Sequence, residues 1–116
     1  MQNNHINYVE FPASKLEETK RFFRNVFERD FVDYGTEYSA FKNAGLDGGF
    51  FKSEKSSLTY YGSALVVLYS DDLDSLKMKI VEYGGVIVQD TFVFPGGKRF
   101  HFIDPSNNEF AVWSDK

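Results

Sequence analysis

One unit of sequence occurs twice in this chain, and that duplication restricts the fold more than any other feature. Leu16 and Leu73 stand 57 residues apart. At this offset Ser14 of Ser14-Lys15-Leu16-Glu17 meets Asp71 of Asp71-Asp72-Leu73-Asp74, so one helix-start signal falls on another. Tyr8-Val9-Glu10-Phe11 likewise meets Leu65-Val66-Val67-Leu68, one strand-forming run on another. A repeat this long within 116 residues means one supersecondary unit used twice. Neither copy has enough core to stand alone, so the two must pair.

The unit is a strand, a helix and three strands. Ile6 to Phe11 reads as a strand ended by Pro12. Ser14 and Glu17 fit a capping box, and Leu16, Thr19, Phe23, Val26 and Phe27 follow at helical spacing, giving a helix over 15–28. Phe31–Tyr34 and Glu37–Lys42 read as strands joined by Gly35-Thr36. Asn43 to Gly49 is turn-rich, and a short strand follows over Phe50–Lys52. Ser53 to Ser57 is polar and serves as a linker. Ala64–Tyr69 is an apolar strand, after which Asp71 or Ser70 caps a helix over 72–83 that Gly84-Gly85 stops. Strands over Val86–Phe94, Arg99–Ile103 and Glu109–Trp113 complete the second copy. The expected division is one domain, with a first module over about 3–55 and a second over about 60–115.

Composition excludes several functions. There are no cysteines, which removes disulfides, thiolate metal sites and cysteine nucleophiles. Net charge is −4 and the basic residues are scattered, so nucleic acid and acidic membranes are disfavoured as partners. The opening Met1-Gln2-Asn3-Asn4-His5 lacks the basic-then-apolar order of a signal peptide. No apolar run approaches membrane-crossing length, so cytoplasmic residence is the expectation. The 13 Phe and 7 Tyr are either core packing or the lining of a cavity or interface.

Three stretches resemble the glyoxalase / bleomycin resistance protein / dioxygenase, or vicinal oxygen chelate, superfamily. They are Tyr8 to Leu16 with Phe22-Phe23 and Val26-Phe27, Ser70-Asp71-Asp72-Leu73-Asp74, and the closing Pro95-Gly96-Gly97-Lys98-Arg99-Phe100-His101-Phe102-Ile103-Asp104-Pro105-Ser106-Asn107-Asn108-Glu109-Phe110. Glu28 and Asn107 stand where that family usually has glycine. Asn tolerates the left-handed conformation such a turn needs. The resemblance implies an α+β fold of two tandem βαβββ modules, with curved mixed sheets around a cavity. It also implies a homodimer in which sheets from two chains complete that cavity.

Metal-using members of the family hold a divalent cation on four strands, where it acts as a Lewis acid. Carried over residue by residue, the first position falls on Tyr8, the third on Leu65 and the fourth on Ala111. The second lies near Gly49 to Phe51. Leu and Ala cannot ligate a metal, so no metal site and no cofactor are expected. An unconventional set of His5, Glu10 and His101 is the alternative, and would support a lyase, isomerase or dioxygenase. His5 is three residues before Tyr8, which on a regular strand puts it on the opposite face.

Four residues are candidates for binding a small aromatic or amphipathic molecule: Tyr8, Glu10, His101 and Trp113. Tyr8 and Glu10 share a face by period-two alternation, as do Glu109, Ala111 and Trp113. Glu10 is either a base in an aromatic pocket, a contact for a cationic ligand, or a solvated charge at the cavity mouth. His101 is either an acid/base group or a satisfied, half-exposed histidine. Binding of this kind, without metal, is the expected function. A domain devoted to assembly with a partner is the third reading.

Overall fold

The computed structural model describes residues 1–116. Strand β1 (Tyr8–Ala13) leads into helix α1 (Leu16–Phe27), and β2 (Asp30–Asp33), β3 (Tyr38–Lys42) and β4 (Asp47–Lys52) follow. A short 3-10 turn at Thr59–Tyr61 precedes β5 (Val66–Tyr69), helix α2 (Leu73–Glu82), β6 (Val86–Phe94), β7 (Gly97–Ile103) and β8 (Glu109–Ser114). The strands form two four-stranded mixed sheets of matching order, β1-β4-β3-β2 and β5-β8-β7-β6, and neither closes into a barrel. The first and fourth strands of each unit pair in parallel, and the other pairs are antiparallel. No helix is long and apolar enough to cross a membrane.

Several boundaries differ from the sequence reading, each for a physical reason. β1 begins at Tyr8 rather than Ile6 and runs through Pro12. Proline has no N–H to give a neighbour, and β1 tolerates it because it is an edge strand. β4 includes Gly48 and Gly49, which the sequence marks as turn residues. A side chain at Gly48 would overlap the Val9 carbonyl and the Phe41 ring, and one at Gly49 would overlap the Tyr38 hydroxyl. These glycines serve close approach inside a sheet, not a turn.

The capping box at Ser14 does not form. The cap of helix α1 falls one residue later, on Lys15, whose side chain makes no capping hydrogen bond. Its donor is met from the far end of the chain: Lys15 N–H donates to Ser106 Oγ at 3.1 Å, and Ser106 Oγ lies 2.6 Å from Thr19 Oγ1. Glu17 turns instead to Lys20, at 3.0 Å. Helix α2 has the cap its sequence predicts in kind, one residue on, with Asp72 accepting from Ser75 N–H at 3.1 Å. The two caps, Lys15 and Asp72, keep the repeat offset. Glu28 ends α1 in the left-handed region at φ 55°, and its N–H reaches back to Arg24 O at 3.1 Å. Asn107 takes φ 64° in the closing turn.

Both units bury their apolar faces in one core. Phe11, Phe41 and Phe50 of the first sheet join Phe100, Phe102 and Phe110 of the second, with Phe22 and Phe23 of α1 among them. The ring centroids of Phe11 and Phe110 are 5.0 Å apart, and those of Phe22 and Phe102 are 5.9 Å apart. Asn108 Nδ2 donates to Pro12 O at 2.6 Å, tying the closing turn to β1. Each sheet therefore has an inner face in the shared core and an outer face with no helix over it. The outer faces carry the site.

Candidate functional site

Strand alternation decides which side chains reach the outer faces. In the first sheet Phe11 and Ala13 point inward, so Tyr8 and Glu10 point outward. Tyr38 joins them from β3. Its hydroxyl donates to Glu10 Oε2 at 2.8 Å and accepts from Tyr8 Oη at 2.5 Å. Burial and these two partners hold the Tyr38 hydroxyl well above the usual tyrosine value. Tyr38 was not singled out by sequence, though its place beside Gly49 gives its hydroxyl the space a side chain would fill.

In the second sheet Phe100, Phe102, Phe110 and Val112 point inward, so Arg99, His101, Glu109 and Trp113 point outward. His101 Nδ1 lies 2.8 Å from Glu109 Oε2. Glu109 is held in turn by Thr59, whose N–H and hydroxyl both donate to Oε1, at 3.0 and 2.8 Å. Burial pushes the Glu109 carboxyl up, but the His101 and Thr59 contacts outweigh it and hold it below the usual glutamate value. A carboxylate there makes Nδ1 the protonated nitrogen of the ring and leaves Nε2 with its lone pair. Nε2 is buried and has no hydrogen-bond partner.

Rings surround this group. Trp113 meets Tyr69 at 5.1 Å and Phe94 at 6.4 Å between centroids. The Phe92 ring lies 6.0 Å from His101. The Arg99 guanidinium lies 5.3 Å from the Phe92 centroid and 5.8 Å from that of Phe94. Arg99, Tyr69, Phe92 and Phe94 were not marked by sequence. Period-two spacing from His101 would have placed Arg99 on the same face.

The four candidate residues thus fall into two pairs. Tyr8 and Glu10 occupy the outer face of one sheet, and His101 and Trp113 that of the other. None of the five main cavities is lined by any of the four. An apolar cavity of about 70 Å³ lies in the core instead, with Arg29 as its one polar side chain among such residues as Val9, Phe31 and Leu68. Burial lowers the Arg29 guanidinium from its ordinary value. That volume is well below the roughly 300–1,000 Å³ of ordinary ligand pockets.

The family's metal positions do not fit a divalent cation. Tyr8 is committed to Tyr38, and Gly49, Phe50, Phe51, Leu65 and Ala111 have no side-chain donor atoms. The alternative set does not assemble either. His5 is exposed in a bend before β1, Glu10 is bonded to Tyr38, and His101 to Glu109 on the other sheet. No three His, Asp or Glu side chains gather where a metal ion could be held.

Comparison with known structures agrees with the fold. The fosfomycin resistance protein FosX of Listeria monocytogenes superposes with a TM-score of 0.80 at 15% identity, over 99% of this chain and 96% of its own. Lactoylglutathione lyase of Agrobacterium tumefaciens gives 0.72 at 20%, over 97% and 95%. The antibiotic-binding protein TnmS3 of Streptomyces sp. CB03234 gives 0.70 at 20%, over 100% and 99%. No curated protein matches the sequence. The family model described as the glyoxalase/bleomycin resistance protein/dioxygenase superfamily matches residues 5–112, and the chain belongs to that superfamily.

Proposed function

We propose that this protein binds a small aromatic or amphipathic molecule on the outer face of its second sheet, without a metal. The aromatic floor of Tyr69, Trp113, Phe94 and Phe92 carries this reading. Such rings on an uncovered sheet face offer large contact area and stacking geometry to a flat ligand. TnmS3, an antibiotic-binding protein, has the same fold, which supports a binding role on such a scaffold. A second copy of the chain completes the site. Val67 and Tyr69 on one outer face and Tyr8, Val32 and Phe51 on the other are each more than a third exposed. An isologous pair would set Tyr8, Glu10 and Tyr38 of one protomer over His101 and Trp113 of its partner. The setting in view is the cytoplasm.

The Glu109–His101 pair favours a second reading, an enzyme that uses His101 Nε2 as a general base. The ring is oriented by a carboxylate on one nitrogen and free on the other, as an acid/base group requires. Thermal-shift screening of aromatic compounds and of divalent metals tests the main reading. Several aromatics should raise the melting temperature by degrees, and the rise should survive EDTA, because only a ligand of the folded state stabilises it. Stoichiometric metal that survives desalting would overturn the metal-free reading.

A further inference from the structure

Arg99 is a guanidinium with no polar partner inside the chain. It forms no ion pair, and its buried Nε has no hydrogen-bond partner. It is nonetheless held in place between the Phe92 and Phe94 rings. Two residues along the same strand face, His101 is 9% exposed and has a buried Nε2 with no hydrogen-bond partner. Both side chains lie against Phe92. A buried polar group without a partner is rare because it forgoes a hydrogen bond it had in water. Arg99 Nε lacks an acceptor, and His101 Nε2 lacks a donor in the neutral ring or an acceptor in the protonated one, so the two call for a ligand whose acid group can serve both.

We propose that the Arg99–His101 pair receives the carboxylate of a planar aromatic acid, whose ring stacks on the Trp113 side of the face. This rests on the small-molecule reading above and names the chemical class of its ligand. The guanidinium supplies the charge. Glu109 is the charged group facing His101 from β8, and β6 opposes it with uncharged Gln89 and Phe92. His101 Nε2 closes the second contact, as a donor when the ring is protonated or by accepting the proton of the acid itself. Arginine suits this role because its fork matches a carboxylate and stays charged throughout.

Trp113 is the sole tryptophan, so its fluorescence reports occupancy directly. The probes are 2-naphthoate, 2-naphthamide and 2-naphthylmethylamine, which share a ring and differ in charge. Naphthoate should quench Trp113 saturably and bind about tenfold or more tightly than the other two, as a charge-assisted hydrogen bond predicts. Arg99→Gln should erase that preference, and Arg99→Lys should restore part of it, with circular dichroism confirming that both fold. If the amide or the amine binds as tightly as the acid, or Arg99→Gln leaves the preference intact, the anion site is overturned while the aromatic pocket stands. If none of the three binds and the wider aromatic screen is also silent, both fall.

Discussion

Asp104 has 2% of its surface exposed and accepts three hydrogen bonds, from Ser106 N–H, Asn108 N–H and Asn108 Nδ2. Burial outweighs those donors and pushes its carboxyl up to about 7. The unfolded chain releases that proton near 3.8, so between these values the native state holds more protons than the unfolded one. Stability must then fall as pH rises through the window, at up to about 1.4 kcal/mol per pH unit. Urea midpoints measured from pH 4.5 to 7.5 should decline in the wild type and flatten in Asp104→Asn, whatever the variant's absolute stability. Asp104 and Asn107 were legible in the sequence because a turn motif names its residues. Arg99 and Tyr38 were not, because a lone arginine or tyrosine in a strand carries no local mark. Their roles arise from which strand lies beside them.

Helix starts show the same limit at the next scale. Ser14 and Glu17 had the right types and spacing for a cap, yet the cap position falls on Lys15, and Ser106, on the β7–β8 turn, supplies the oxygen. Local chemistry proposed one solution and the tertiary fold used another, 91 residues away. Ser106→Ala should cost about 1–2 kcal/mol in chemical denaturation, since it strips Lys15 N–H and the buried Thr19 hydroxyl of one partner. Ser14→Ala should change little by comparison. The strand of Gly48 and Gly49 was missed for a related reason. Glycine signals a turn when read alone, and only the neighbouring Val9, Phe41 and Tyr38 show that the backbone needed room.

The repeat offset made the two-unit architecture readable, since matching elements recur at one spacing. It could not show which way the sheets face, because orientation depends on packing between the units. Phe110 sits at that junction, against Phe11, Phe23 and Phe102. Phe110→Ala should cost about 3–5 kcal/mol and loosen both sheets together. Trp113 fluorescence, from the second sheet, and far-ultraviolet dichroism, from the whole chain, should then give coincident unfolding curves in wild type and variant alike.

The contacts of Asn108 with Pro12 and of Ser106 with Lys15 run one way only, from the second unit's closing turn to the first unit's strand and helix. Duplication alone yields twins, whereas this clasp makes the halves lock and key. A pair made of two copies of either half would lack one side of both contacts. Covalent linkage and mutual recognition are separate properties here, and recognition sets how the halves fit.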